Sequence, residues 1–377
     1  FIEIKGVQFV NKGAELMLLA IINKVNEIWP DAKIVLKHGK KSPYEKRALL
    51  GTYQKLEWKK KWVEHLFSSS FRNKLTSRYG LVMDKDIPIT LDASGFAYGD
   101  QWGSGEIKSL CRNLALADSS NKKYVLMPQA FGPFSSEADR SLLEQALPKA
   151  TLICAREPTS YESIESIPTK LNNLYLYPDF TNLLSGICPS YYKDGNKKIL
   201  IVPNTNMTSS RNNKAGWADV YLNKLNLVVG AIESKGFIPV LLNHEGAGDE
   251  KICVQLNELN NGKLELISDD NALHVKGIIG SSAAIVSSRF HACVSALCQG
   301  VPCLGTSWSH KYERLFEEYN RGEFIISPST NLDDLNEMFE QVFVNDGDQY
   351  NEYVNSIQRQ KNKTEYMWQA VKAACSR

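Results

Sequence analysis

Apolar, β-branched runs alternate with amphipathic segments almost from one end of this 377-residue chain to the other. IEIKGVQF leads into a helical pattern from about Gly13, and AKIVLK, IPITLDA, KYVLMPQ, TLICAR and LYLYPD follow, each trailed by a loop and a helical stretch. Strands that pair in parallel need a long crossover, usually a helix, so this alternation implies a parallel sheet covered on both faces. After Pro178 and Asp179 the rhythm pauses through LLSGICPSYYKDGNKK, whose Pro, Gly and Lys content marks a linker. It resumes with KILIVPN, a helix through AGWADVYLNKLNLVVGAIESKG closed by Gly236, then FIPVLLNH, LELIS, AAIVSS, VPCLGT and EFIISP. The expected fold is α/β: two Rossmann-like doubly wound domains, residues 1–184 and 198–330, facing across a cleft. Helices over 331–377 are expected to pack back across the domains, with Leu332, Leu335, Met338, Phe339 and Val342 on one face.

Composition removes several function classes. No apolar run approaches the roughly 18 residues of a membrane span, and 43% hydrophobic with 23% charged residues is ordinary for a globular protein. A net charge of +2 supplies no general attraction to nucleic acid. The eight cysteines form no CxxC pair and mostly sit inside apolar patterns, which reads as reduced core and a cytoplasmic setting. The chain starts directly on a strand with no initiating methionine, so a trimmed leader stays open. His244 and Glu245 lack HExxH spacing, and Asp346 with Asp348 is too little for a calcium loop, so no metal is expected.

Between Lys37 and Lys74 cations far outnumber carboxylates. Within it QKLEWKKKWVEHLF spaces Trp58, Trp62 and Leu66 four apart, with Lys59, Lys60 and Lys61 elsewhere on a helical wheel. Such a helix either docks its apolar face on the first domain or rests on an anionic membrane surface.

Parallel strands place the candidate chemistry. In SSRFHACVSALCQGVP, Arg289 and His291 fall where a strand ends and a helix begins, a position suited to an anionic ligand. An arginine fork matches a carboxylate or phosphate, and a nearby imidazole exchanges protons near neutral pH. The competing reading is an arginine satisfying a sheet-edge carboxylate and a histidine at a helix N-terminus. Ser307, Ser309, His310 and Lys311 return to the same edge one strand later. In the first half, Asn11 and Gly13, Asp92 and Asp100, and Gln129 lie in loops after strands; singly each reads as a turn, and together they suit hydroxyl recognition. Arg156 and Glu157 read equally as a buried ion pair.

NKGAELM, DASGFAYGD, MPQAFGPF, AREPTSYESI, YPDFTNLL and above all SSRFHACVSALCQGVPCLGTSWSHKYERL resemble the polysaccharide pyruvyl transferase family. The resemblance implies a GT-B-like two-domain architecture and transfer of the enolpyruvyl group of phosphoenolpyruvate to a sugar, commonly as a cyclic ketal. It implies phosphoenolpyruvate as co-substrate with no further cofactor, and a saccharide acceptor in a capsule or exopolysaccharide repeat on a polyprenyl diphosphate at the inner membrane face. Arg289 and His291 fall on the family's RxH motif, for donor binding and proton transfer, and Lys311 lies in the basic loop that follows. Ser288, His310, Asn204 and Arg211 complete the expected donor side, and Asn11, Gly13, Asp92, Asp100 and Gln129 the acceptor side. Rival readings are a nucleotide-sugar glycosyltransferase of the same architecture and a catalytically inactive carbohydrate-binding partner of an assembly complex.

Overall fold

A computed structural model gives the structure of the chain and describes every residue except 59–63, 65, 211, 213–215 and 377. The described residues form two compact units, each built on a parallel sheet. The first comprises Phe1–Phe9, Met17–Phe180 and Thr364–Arg377; the second comprises Val10–Leu16 and Thr181–Lys363.

Elements run in the first part of the chain as β1 (Ile2–Lys5), α1 (Lys12–Ile28), β2 (Ile34–Leu36), α2 (Tyr44–Leu49), β3 (Tyr53–Leu56), α3 (Ser69–Tyr79), β4 (Leu81–Met83) and β5 (Ile89–Asp92). Then come α4 (Ser104–Ser119), β6 (Lys123–Gln129), α5 (Glu137–Ala146), β7 (Leu152–Ala155), α6 (Pro158–Glu165) and β8 (Leu174–Leu176). The sheet order is β4-β3-β2-β1-β5-β6-β7-β8, so the direction of winding reverses between β1 and β5. Strands β5 to β7 are the expected continuous apolar runs, with Leu91, Val125, Leu126, Met127, Ile153 and Cys154 fully buried.

The other half of this sheet departs from the expectation. QKLEW was read into a basic amphipathic helix, but Tyr53–Leu56 is strand β3, and Trp58 follows it in irregular chain at 40% exposure. Trp62 and Lys59 to Lys61 lie outside the described residues. The reason is an inward-facing charge: Lys55 Nζ lies 2.8 Å from Glu3 Oε2 of β1 and 2.8 Å from Asp84 Oδ1. Burial opposes the Lys55 ammonium, yet those two carboxylates outweigh it and raise its pKa. Ion pairing thus replaces the apolar alternation by which a strand is recognised in sequence.

The second unit holds β9 (Lys198–Val202), α7 (Trp217–Ser234), β10 (Ile238–Asn243), α8 (Gly246–Leu259), β11 (Glu265–Ser268), α9 (Ala272–Gly280), β12 (Ala284–Ser287), α10 (Phe290–Leu297), β13 (Cys303–Thr306), α11 (Lys311–Glu318), β14 (Ile325–Ile326), α12 (Leu332–Val342) and α13 (Gly347–Cys375). The last helix continues into Thr364–Arg377, which groups with the first unit. The order β11-β10-β9-β12-β13-β14 reverses between β9 and β12, and Ile199, Leu200, Ile201, Val240, Leu241, Leu242 and Ile285 are wholly buried. Gly236 follows α7 with φ +78°, the left-handed conformation that ends helices and that glycine adopts at least cost. On α12, Leu335, Phe339 and Val342 are buried as the periodicity implies, while Leu332 is 44% exposed.

The segment read as a linker packs closely onto α9: a Cβ on Gly277 would overlap the backbone of Ile187, and one on Gly186 that of Gly277, while Ile187 N donates to Leu273 O at 2.9 Å. Gly277→Ala is therefore expected to cost roughly 1–3 kcal/mol through overpacking, read as a lowered midpoint in denaturant titration; an unchanged midpoint would mean the segment yields freely.

Candidate functional site

Because its strands are parallel, the second unit brings the loops after β9, β10, β12 and β13 to one edge, and the reversal between β9 and β12 opens a crevice there. Ser288, just past β12, is clasped from several elements. Its Oγ receives the Tyr221 hydroxyl at 2.6 Å and Thr306 Oγ1 at 2.7 Å, and its carbonyl accepts from Asn204 Nδ2 and the Tyr312 hydroxyl, both at 2.8 Å. Asn204 and Ser288, both 1% exposed, are engaged in holding the turn that presents Arg289.

Arg289 caps α10 and is 8% exposed. Its Nε and Nη2 donate to Asp249 Oδ2 and Oδ1 at 2.7 and 2.5 Å, and its Nη1 donates to Glu245. Asp249, in the first turn of α8, is fully buried and also accepts from Thr205 N at 3.2 Å. Burial works against charge on both members, pushing the Asp249 carboxyl up and the Arg289 guanidinium down, and the bidentate pairing opposes that penalty. The arginine therefore does meet carboxylates, two of them, neither anticipated from sequence.

His291 sits in the first turn of α10, half-buried, its ring edge-on to Phe290 at 5.5 Å. Gly13 lies directly against it: a Cβ there would overlap the imidazole. Asn11 Oδ1 accepts from Gly13 N at 2.9 Å and Ala14 N at 3.3 Å, capping α1. Asn11 and Gly13, expected on the acceptor side with the first domain, thus group with the second unit and, at Gly13, with His291. Lys12 Nζ donates to Glu15 at 2.9 Å and to Asp270 O at 2.8 Å. Lys311 Nζ lies 4.8, 5.2 and 5.6 Å from the ring centroids of Trp308, Phe290 and Tyr312, a cation–π setting at 8% exposure. His310 precedes it at the start of α11. Arg211 lies outside the described residues.

One group escaped the sequence pattern. His244, directly after β10, is 2% exposed, and neither ring nitrogen has a hydrogen-bond partner among the described residues. Burial first, then Arg289, His291 and Lys12, hold its pKa well below the usual histidine range. The only available signal was its place at a strand end; HExxH spacing was the wrong test.

Asp92, Asp100 and Gln129 fall in the first unit. Asp92 is fully buried, 3.0 Å from Lys5 Nζ, and accepts from the hydroxyls of Tyr98 at 2.8 Å and of Tyr124 and Ser94 at 2.5 Å. Burial opposes its charge, but Lys5 and these hydroxyls outweigh it and lower its pKa. Asp100 accepts from Ser135 N at 3.0 Å and from the Ser135 hydroxyl at 2.5 Å. Gln129 Nε2 donates weakly to Asp92 O at 3.3 Å, and its buried Oε1 has no partner among the described residues. Arg156 pairs with Asp179 at 3.4 Å, while Glu157 caps α6 by accepting from Ser160 N at 2.9 Å. Among the described residues no three His, Cys, Asp or Glu side chains are placed to hold a metal ion, and no helix is long and apolar enough to cross a membrane.

Solved structures share this arrangement of two parallel α/β units in one chain. The glycosyltransferase of Rickettsia africae matches with TM-score 0.58 at 11% identity over 100% of this chain and 98% of that one. The Listeria monocytogenes protein assigned as a UDP-N-acetylglucosamine 2-epimerase gives 0.60 at 12% identity over 99% and 95%. Anabaena HepE in complex with UDP gives 0.57 at 10% over 99% and 99%. At such identities the likeness is one of fold, which is GT-B-like. No curated protein matches the sequence. The model of the polysaccharide pyruvyl transferase family matches residues 11–310, and the chain belongs to that family.

Asp92 is expected to act as a structural anchor: Asp92→Asn leaves Lys5 without its counter-charge and should cost about 3–5 kcal/mol at neutral pH. Since the folded-state pKa is lowered, the contribution is present above the unfolded carboxylate pKa and is lost as pH falls through the folded value. The stability gap between parent and variant, followed by denaturant titration, should narrow in acid; a gap independent of pH would refute this assignment.

Proposed function

We propose that this protein transfers the enolpyruvyl group of phosphoenolpyruvate to a saccharide carried on a polyprenyl diphosphate, forming a pyruvate ketal and releasing phosphate. The observation that carries the reading is the conjunction of Arg289 and His291 at the reversal point of the second sheet, inside the stretch that matches the family. Asp249 takes the Nε/Nη2 edge of the guanidinium and leaves Nη1 to Glu245, whose side chain is 25% exposed. The donor's carboxylate exchanges for Glu245 at Nη1, so Arg289 binds it already oriented. Lys311 and His310 add positive or donor character toward the phosphate.

In this reading a proton delivered to the methylene carbon turns the central carbon into an oxocarbenium-like electrophile. One sugar hydroxyl bonds to that carbon and loses its proton. The carbon–oxygen bond to phosphate then breaks, and a second hydroxyl adds and closes the ring. Of the two hydroxyl protons, one balances the new methyl group and the other leaves with phosphate. His291 is the proton donor and acceptor, worth about 10² to 10⁴ in rate, while Arg289 holds the carboxylate and Lys311 stabilises the phosphate as charge shifts onto it. His291→Ala is expected to lower turnover by that factor while the melting temperature holds, with phosphate release and the ketal mass as readouts; a near-normal rate would remove His291 from the chemistry. Phosphoenolpyruvate, and not uridine or guanosine diphosphate sugars, is expected to raise the melting temperature, and the opposite result would favour a glycosyltransferase.

A lipid-linked acceptor calls for peripheral attachment at the cytoplasmic membrane face. Supporting it, Trp58 lies 5.8 Å from Phe67, which stacks on Phe71 at 5.1 Å, and Trp58 and Phe71 are 40% and 43% exposed within the lysine-rich stretch. The protein is expected to sediment with anionic vesicles at low ionic strength, and Trp58→Ala with Phe71→Ala to release it; a parent protein that stays in the supernatant would defeat this attachment.

A further inference from the structure

We infer that His244 is a phosphate-binding residue, a neutral imidazole whose ring N–H donates to a phosphoryl oxygen of the donor. This rests on the pyruvyl-transfer reading above and assigns the phosphate end of the same site.

The first ground is an unmet hydrogen-bonding demand. His244 is 2% exposed, and both ring nitrogens lack partners among the described residues. A buried polar atom left unsatisfied is costly, so two in one side chain are retained most readily where a ligand meets the need. Val240, Leu241 and Leu242 of β10 are wholly buried, and Asn243 and then His244 follow them at the strand end. A leucine would sit at this strand end without that penalty.

The second ground is position. β10 lies beside β9, whose other neighbour is β12, so His244 and Arg289 end strands on either side of β9 at the reversal point. Glu245, the next residue, reaches Arg289 Nη1. The charged or chargeable groups acting on His244 are Arg289, His291 and Lys12. Nearby carboxylates are already engaged: Asp249 and Glu245 with Arg289, and Glu15 with Lys12.

The third ground is chemical fit. Burial and those three neighbours keep the His244 ring neutral at physiological pH. A neutral imidazole keeps an N–H to donate and adds no charge, so it holds the phosphate without strengthening retention of the departing ion. The planar carboxylate of the donor matches the arginine fork, which leaves the phosphoryl group for His244. Either ring nitrogen can carry the hydrogen, so the ligand sets the tautomer.

The test uses the full chain with inorganic phosphate and phosphoenolpyruvate as probes, by calorimetric titration and thermal melting. His244→Leu is expected to melt at or above the parent temperature without ligand, and to lose tenfold or more in affinity for both probes. His244→Gln, which keeps an N–H, is expected to recover part of that affinity and serves as the test if the leucine variant does not fold. In turnover assays the leucine variant is expected to raise KM for phosphoenolpyruvate more than it lowers kcat. Parent-like phosphate affinity in both variants would overturn the assignment, as would a parent that binds neither probe. If the parent binds phosphate through His244 but transfers no pyruvyl group, the reaction proposed above falls and the phosphate site stands. If the parent transfers pyruvyl and His244→Leu leaves KM unchanged, the reverse holds.

Discussion

The Arg289–Asp249 pair is the contact on which the second unit's site depends. It joins the N-terminus of α10 to the first turn of α8 across β9, and so fixes two loops that the chain reaches 40 residues apart. An ion pair in so dry a place is a weak source of net stability, because desolvation cancels most of the attraction. Its value is geometric. Two parallel N–H···O bonds allow the guanidinium one orientation, and the Thr205 amide fixes the carboxylate from behind. What remains of the fork is Nη1, held by the one carboxylate of the pair that reaches solvent, Glu245. The result is an arginine with one edge committed to the fold and its remaining nitrogen held by a carboxylate that reaches solvent.

Asp92 shows the opposite use of a buried carboxylate. Lys5 and three hydroxyls surround it, and its pKa is lowered. With its oxygens saturated, Asp92 serves the first unit as an internal anchor. Asp249 shares its burial, yet its pKa is pushed up, and its bonds converge on a cation beside a crevice. A buried aspartate at the end of a strand in one unit and one in the first turn of a helix in the other thus differ in the direction in which their surroundings move the proton.

That difference explains what was legible. Alternation of apolar runs with helical segments reveals a parallel sheet because burial on both faces demands it, and β5 to β7, β9, β10, β12 and β13 obey. β3 and β4 escaped notice: β3 turns Lys55 inward to Glu3 and Asp84, and β4 has only three residues. Arg289 and His291 were visible because a strand end followed by a helix N-terminus is a local pattern. The partners of Arg289 were not, since Asp249 and Glu245 become its neighbours only because β10 and β12 flank β9 in the sheet. His244 was hidden for a different reason: its distinguishing property is the absence of a hydrogen bond, which no sequence pattern encodes.

Gly13 carries the last step. The start of α1 groups with the second unit, and its backbone runs so close to the His291 ring that no side chain fits between them. The Asn11 side chain closes that end of the helix by accepting from Gly13 N and Ala14 N, and Lys12 is tied to Asp270 O. These three residues hold an early segment of the chain against a site built mainly from its later half. A glycine here answers a packing requirement set by a residue 278 positions away, because His291 can rest on bare backbone only where no Cβ projects. NKG thus packs against SRFH, and the candidate site draws on both ends of the matched stretch.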